Sequence, residues 1–309
     1  MKKVIIRFVG FLLCFTIGTT CLLRFMPDKF ATSYQRGLVR QYDYLRSVAD
    51  DEKIVFLGYS TMCFGLDMDR MEELSGKRTV ILANQVSVGY PLLVEMSKEY
   101  LHPGDIVVME VYDYDYWDVG VDNMLTGIGK RVELYRFIPK QMRMEVAARF
   151  PAVVKKNLEY ILNRHGGFGG PYSAEGFDGR GNYVFYRDEC VLSNPYEGES
   201  GWTDYTDTEL PEDTVEALNA YATWCKEHDV TLYFTIPPVC EDVVKAGTGD
   251  EATMDARDAA YQRVLDAPLI SRSKDYVFSR EYMWDAHNNT KGQLERTERL
   301  YQDINRASK

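Results

Sequence analysis

Positive charge is scarce in this sequence. Across 309 residues, 36 Lys and Arg stand against 47 Asp and Glu, for a formal net charge of −11. No basic run occurs outside the N-terminus, which argues against nucleic-acid binding as the main task. Histidine is rarer still, with four copies. Six cysteines are present, but none form a C-x-x-C pair, so the spacing of a zinc site is missing and no metal is expected. No Gly-Lys-Ser/Thr follows the glycine cluster that runs from His165 to Pro171, so that cluster is not a phosphate loop. Internal repeats are absent. The chain is too long for a staple-dependent mini-protein and long enough for one large domain or two small ones.

Aromatics, by contrast, are plentiful at 13%, with 22 Tyr against 14 Phe. Tyrosine-rich surfaces often meet flat polar ligands such as sugars, although tyrosine also fills cores. The N-terminus reads as an address. Lys2, Lys3 and Arg7 precede an apolar stretch from Phe8 to Leu23, and Arg24 closes it. That charge layout is the layout of a signal or signal-anchor with the N-terminus inside. The expectation is a single-pass anchor at 1–28, a lead-in at 29–52 with linker and helical character, and an extracytoplasmic body from 53 to 309. A cleaved secretory signal is the competing reading. With an exported body, a disulfide such as Cys225–Cys240 or Cys190–Cys240 is open, as are free buried thiols.

The body alternates short apolar runs with helical spacing. Lys53 to Gly58, Arg78 to Ala83 and Asp105 to Val111 read as strands, with helices from Asp67 to Leu74 and from Tyr90 to Leu101. Strand–helix alternation at this spacing implies right-handed crossovers and a parallel sheet. The pattern lapses between about 112 and 205, a stretch rich in aromatics and glycine. There the spacing predicts a helix from Gln141 to Asn163, interrupted at Pro151. Order returns with a helix over Pro211 to Glu227, a strand over Val230 to Ile236, and a helix over Asp255 to Leu265. A weak strand follows near Val277, and a last helix runs from Gly292 to Ile304 with Leu294, Thr297, Tyr301 and Ile304 inward. The expected fold is a three-layer α/β/α domain with a central, mostly parallel sheet and a long middle insertion.

Functional groups of open parallel sheets collect at the C-terminal ends of strands. Gly58-Tyr59-Ser60 ends the first strand, and a serine there exposes its hydroxyl beside backbone N–H groups that can hold an oxyanion. The same serine could simply cap the following turn. The segment is not a G-x-S-x-G elbow, because Met62 occupies the place of the second glycine. Asp285-Ala286-His287 lies in a polar stretch before the last helix. In an extended loop residues two apart face one side, so Asp285 can support an imidazole that takes the serine proton. After the second strand, Asn84 and Gly89 are candidate oxyanion donors. The aromatic-acidic stretch from Tyr112 to Trp117 is a candidate sugar platform, with a packed strand end as the plainer alternative. Asn288-Asn289-Thr290 matches a glycosylation acceptor, a common tripeptide.

The blocks KIVFLGYSTMCFGLD, ANQVSVGY and DAHNNTKGQLERT together resemble the SGNH/GDSL hydrolase superfamily. The similarity is greatest to its anchored, extracytoplasmic branch of surface-polysaccharide operons, which includes the D-alanyl-transfer protein of teichoic acid modification and the alginate acetylation proteins. That resemblance implies Ser60, Asp285 and His287 as catalytic residues. It implies an oxyanion site from Ser60, Gly89, Asn84 and Tyr112, and substrate contacts from Tyr59, Tyr114 and Trp117. It further implies acyl transfer, chiefly of acetyl, to a cell-surface polysaccharide, with no cofactor and with a membrane acyl-donor protein as partner. A carbohydrate esterase and a catalytically inactive glycan-binding or assembly protein are the alternatives. The chain departs from the superfamily where Glu110-Val111-Tyr112-Asp113 replaces the usual Gly-x-Asn-Asp, and in its Asp-x-His spacing, which the alginate-acetylating relatives share.

Overall fold

The structure is a computed structural model. It describes residues 2–25, 28, 30–113, 116–117, 119–163, 168–193, 209–246 and 249–309. The apolar N-terminal stretch forms α1 (Lys2–Phe25). Among the described residues no helix is long and apolar enough to cross a membrane, so the expected spanning anchor is not among the findings. α2 (Gly37–Ser47) follows, then β1 (Lys53–Gly58), α3 (Ser60–Gly65), α4 (Met68–Ser75), β2 (Arg78–Ala83), α5 (Tyr90–Ser97) and β3 (Ile106–Glu110). The middle of the chain holds α6 (Val121–Ile128) and α7 (Arg143–Asn163). After it come α8 (Glu212–Glu227), β4 (Thr231–Thr235), the short β5 (Val239–Cys240), α9 (Glu241–Ala246), α10 (Glu251–Val264), β6 (Val277–Phe278) and α11 (Thr290–Ala307).

Strands β1 to β4 form one sheet in the order β2-β1-β3-β4, and every neighbouring pair is parallel. Side chains of a strand alternate between its two faces, and the burial follows that period. Val55, Leu57, Val80, Leu82, Val107, Met109, Leu232 and Phe234 enter one core with residues of α2, α5, α6 and α8. Ile54, Phe56, Ile81, Val108 and Tyr233 enter the other, with α3, α4 and α11. Strands covered on both faces read as continuous apolar runs, as these do. At the start of β1 the fully buried Lys53 is paired with Asp105 at 2.8 Å and also donates to Ala49 O and Asp51 O.

Several expectations change. The lead-in is core material, since Leu38, Tyr42 and Leu45 of α2 are fully or almost fully buried. α7 runs through Pro151 without a break; a proline removes one hydrogen bond, and the rest of the helix carries on past it. α11 does not turn Leu294 inward, which is 43% exposed, but buries Gln293, Arg296, Thr297, Leu300 and Ile304. The physical reason is hydrogen bonding: Gln293 Nε2 reaches Leu66 O at 2.8 Å, and Arg296 reaches Thr61 O at 2.7 Å. Cys225 and Cys240 sit in the cores on opposite faces of the sheet, so the pairing Cys225–Cys240 does not form. Cys63, Cys190, Cys225 and Cys240 are free thiols, and burial pushes Cys63 and Cys225 up to about 12. The side chain of Cys21 lies outside the described residues.

Candidate active site

The first part of the site is a turn clamped from below. β1 ends at Gly58, Tyr59 is extended, and Ser60 opens α3. A Cβ on residue 58 would come within 2.5 Å of Met62 Cβ and 2.6 Å of Glu110 Oε2, so the glycine is there for close approach. Glu110, at the end of β3, is fully buried and accepts hydrogen bonds from Thr61 Oγ1 (2.9 Å), Tyr112 OH (2.8 Å) and Tyr59 N (3.4 Å). Its other oxygen is paired with Arg296 of α11, also fully buried. Arg296 Nη1 donates to Thr61 O, closing the ring of contacts around residues 59–61. Buried charges need such pairing and hydrogen bonding to exist at all. As the first residue of α3, Ser60 has an N–H with no intrahelical acceptor.

The second part is a tight turn. Trp284 N donates to His287 O at 2.9 Å, and Met283 bridges Asn288 in antiparallel fashion, leaving Asp285 and Ala286 at the tip. The expected extended loop is thus replaced by a hairpin turn, and the contact comes from folding back rather than from alternation. Asp285 Oδ1 accepts from His287 N at 2.9 Å and is 2.6 Å from His287 Nδ1. His287 Nε2 is 2.8 Å from Ser60 Oγ. With Nδ1–H donating to a carboxylate, Nε2 is the nitrogen left to accept the serine proton. His287 is 8% exposed, and its imidazole stacks on Phe64 with ring centres 4.5 Å apart. Burial pushes the Asp285 carboxyl up, but the His287 side chain, Tyr172 OH and His287 N together hold it below its ordinary value. Below the turn, Asn289 caps α11 through Gly292 N and donates to Asp188 O and Glu281 O. Asn288 is fully buried, which closes the Asn288-Asn289-Thr290 tripeptide to a glycan.

The remaining candidates are placed differently. Gly89 has φ +79°, Val119 fills the space a Cβ would need, and its N–H donates to Val86 O at 3.1 Å. That N–H is spent on its own turn, not offered to an oxyanion. Asn84 is fully buried with Oδ1 accepting from Gln85 N at 2.9 Å and Nδ2 donating to Tyr34 O at 3.5 Å. Tyr112 OH is hydrogen-bonded to both Thr61 and Glu110, so it braces the Ser60 turn instead of replacing the usual Asn as a donor. Tyr59 is 5% exposed, stacks on Tyr90 and packs at a tilt on Tyr112, with ring centres 4.4 and 4.8 Å away; it is a core residue, not a substrate contact. Trp117 is exposed and lies edge-on to Tyr116. Tyr114 lies outside the described residues.

A cavity of about 70 Å³ adjoins the two turns. Thr61 and Ala286, the neighbours of Ser60 and His287, line it together with Tyr112, Ile236, Pro237 and Arg257. Residues that the sequence did not mark as functional complete the surroundings: Glu110, Arg296, Phe64, Tyr172 and Arg187. The available signals were a glutamate closing an otherwise apolar strand and an arginine next to an inward threonine on the last helix. Comparison with protein-family models and with curated proteins finds no match to this chain.

Proposed function

We propose that the chain is a serine acyl-transfer enzyme of the SGNH/GDSL hydrolase-like kind, acting on a cell-surface polysaccharide. The observation that carries this reading is the continuous path Ser60 Oγ, His287 Nε2, His287 Nδ1, Asp285 Oδ1, with hydrogen-bond distances of 2.8 Å and 2.6 Å. Two turns 227 residues apart in sequence meet there, in a parallel α/β sheet, at the strand end where such folds carry chemistry.

In this reading Ser60 Oγ attacks the carbonyl carbon of an acyl ester, acetyl being the favoured group. His287 Nε2 takes the hydroxyl proton as the C–O bond forms, and Asp285 holds the imidazole in the working tautomer and stabilises its charge. The Ser60 N–H at the start of α3 donates to the oxyanion. Collapse expels the first alcohol, which recovers the proton from His287, and leaves a Ser60 ester. A sugar hydroxyl then attacks that ester, His287 removes its proton, and Ser60 is restored with the acyl group on the glycan. Water in place of the sugar makes the same site an esterase. The apolar N-terminal segment holds the body at the outer face of a membrane, near an acyl-donor protein and the emerging glycan. No cofactor enters these steps.

A second reading, an inactive glycan-binding or assembly protein, is favoured by one observation. Of the expected oxyanion donors, Gly89 N and Tyr112 OH are engaged elsewhere, and losing one such donor typically costs ~10²–10³ in turnover. A fluorophosphonate probe separates the two. Covalent labelling of the intact chain, abolished by Ser60→Ala with an unchanged circular dichroism spectrum, supports the activated serine. Folded wild-type protein that resists the probe leaves the binding protein.

A further inference from the structure

We infer that Tyr172 is a positioning residue of this site, its phenolic hydroxyl fixing the plane of Asp285 so that one oxygen serves His287. The inference rests on the serine chemistry proposed above. An aspartate carboxylate turns about its last side-chain bond with little preference. Both contacts to His287, through N and Nδ1, use the same oxygen, Oδ1. The other oxygen, Oδ2, receives Tyr172 OH at 2.8 Å. The hydroxyl stands 3.5 Å from His287 Nδ1, at the outer limit of hydrogen bonding, so its proton is committed to the carboxylate.

Tyr172 is itself held from several sides. Its ring packs against Tyr34, Phe64 and Trp284 at centre distances of 6.0, 5.6 and 5.7 Å. The next residue, Ser173, bridges Ser33, and Ala174 N donates to Thr32 O at 2.9 Å. A phenol so anchored constrains the carboxylate; a free one would follow it. Tyr172 is 44% exposed, and the partial loss of solvent around its hydroxyl, together with the Asp285 charge, keeps its proton on and pushes the phenol above its ordinary range. Among the described residues, Arg187 and Tyr183 are further charged or titratable groups near Asp285. Arg187 lies over the Phe64 and Tyr183 rings, at 4.8 and 4.6 Å, and both residues feel the Asp285 charge. They stay in place when only the Tyr172 hydroxyl is removed.

The bond has an electrostatic sign. Its proton end points at the carboxylate, and that positive end opposes a cationic imidazole. Removing it leaves Asp285 a stronger partner for the protonated ring, so the acid limb of the reaction moves to higher pH.

The test is Tyr172→Phe in the full chain, which keeps the ring. The rate of Ser60 labelling by a fluorophosphonate is measured from pH 4 to 9, alongside thermal unfolding. We expect labelling about tenfold slower, the worth of one hydrogen bond to a charged group, with the acid limb displaced upward and the unfolding midpoint little changed. In an Asp285→Asn background the same change should add nothing further. An unaltered rate and limb, or slowing that is uniform across pH with a lowered midpoint, overturns the inference. If the wild type is not labelled, the serine reading fails, and the far-downfield proton resonance of the His287–Asp285 hydrogen bond then decides on Tyr172 alone. A resonance that Tyr172→Phe leaves unmoved also overturns the inference.

Discussion

Two stretches of this chain bring residues to the same place by opposite means. The strand ends of the sheet deliver Ser60 and Glu110 by a rigid register: β1 and β3 are paired residue for residue, from Ile54 with Ile106 to Leu57 with Met109. The middle stretch, 112 to 205, has no strand among its described residues. It delivers Tyr172 through rings, a single bridge and a backbone hydrogen bond to the lead-in, and Arg187 through hydrogen bonds to Thr290, Phe64 and Gln293. A position set by the sheet is shared by many contacts and is expensive to disturb. A position set by a few ring contacts can be changed at lower cost, and it tunes what the sheet has placed.

The largest effect that would sharpen this contrast is on chemistry. His287→Ala should lower Ser60 labelling at least about 10³-fold, because groups acting as one unit fail together; an ordinary labelling rate in that variant would remove His287 from the reaction. Next comes the support beneath the serine. Arg296→Met strands the fully buried Glu110 charge and should cost about 3–5 kcal/mol in chemical unfolding. Gly58→Ala sets a methyl against Met62 and Glu110, with an expected loss of about 1–3 kcal/mol. In the middle stretch, Tyr186 is 69% exposed, and Tyr186→Ser should move stability by less than about 0.5 kcal/mol. A cost for Tyr186→Ser as large as that for Gly58→Ala would break the comparison.

The smallest effect concerns pH. Asp285 is held below its ordinary value in the fold, against about 3.9 in an unfolded chain. A depressed carboxyl contributes stability that is present above the unfolded value and is lost as pH falls through the folded one. The stability advantage of wild type over Asp285→Asn should therefore shrink as pH falls below about 4. Unfolding curves at pH 4, 3 and 2 check this, and an advantage that grows over that interval would contradict the assignment.

How much of this was legible depended on the range of the interactions involved. Four strands, their parallel pairing and most helices could be read because apolar periodicity is local, and the burial of β1 and β2 on both faces writes itself into KIVFLG and RTVILA. Ser60, Asp285 and His287 could be singled out from their places beside such elements, but their meeting is visible only in the fold. What the sequence hid were long-range polar contacts. Glu110 and Arg296 are 186 residues apart, and no spacing rule connects them. On α11 the expected inward residues Thr297 and Ile304 are buried, but Leu294 is not, because partners elsewhere in the chain draw Gln293 and Arg296 inside. Gly89 and Tyr112 stood at the right positions, but their hydrogen atoms had already been claimed by Val86 and Glu110, a matter of local geometry that residue type does not record.

The separation of the site along the chain has a consequence for biosynthesis. Synthesis proceeds from the N-terminus at roughly 5–20 residues per second, so the 227 residues between Ser60 and His287 take on the order of ten to forty-five seconds to appear. During that interval the serine exists without its base, and the turn that carries it lacks Arg296, the counter-charge of Glu110. Under the acyl transfer proposed above, the growing chain thus holds an ordinary alcohol at position 60. On the same proposal, reactivity arrives only when the Asp285–His287 turn and α11 dock, which ties the onset of chemistry to the end of folding.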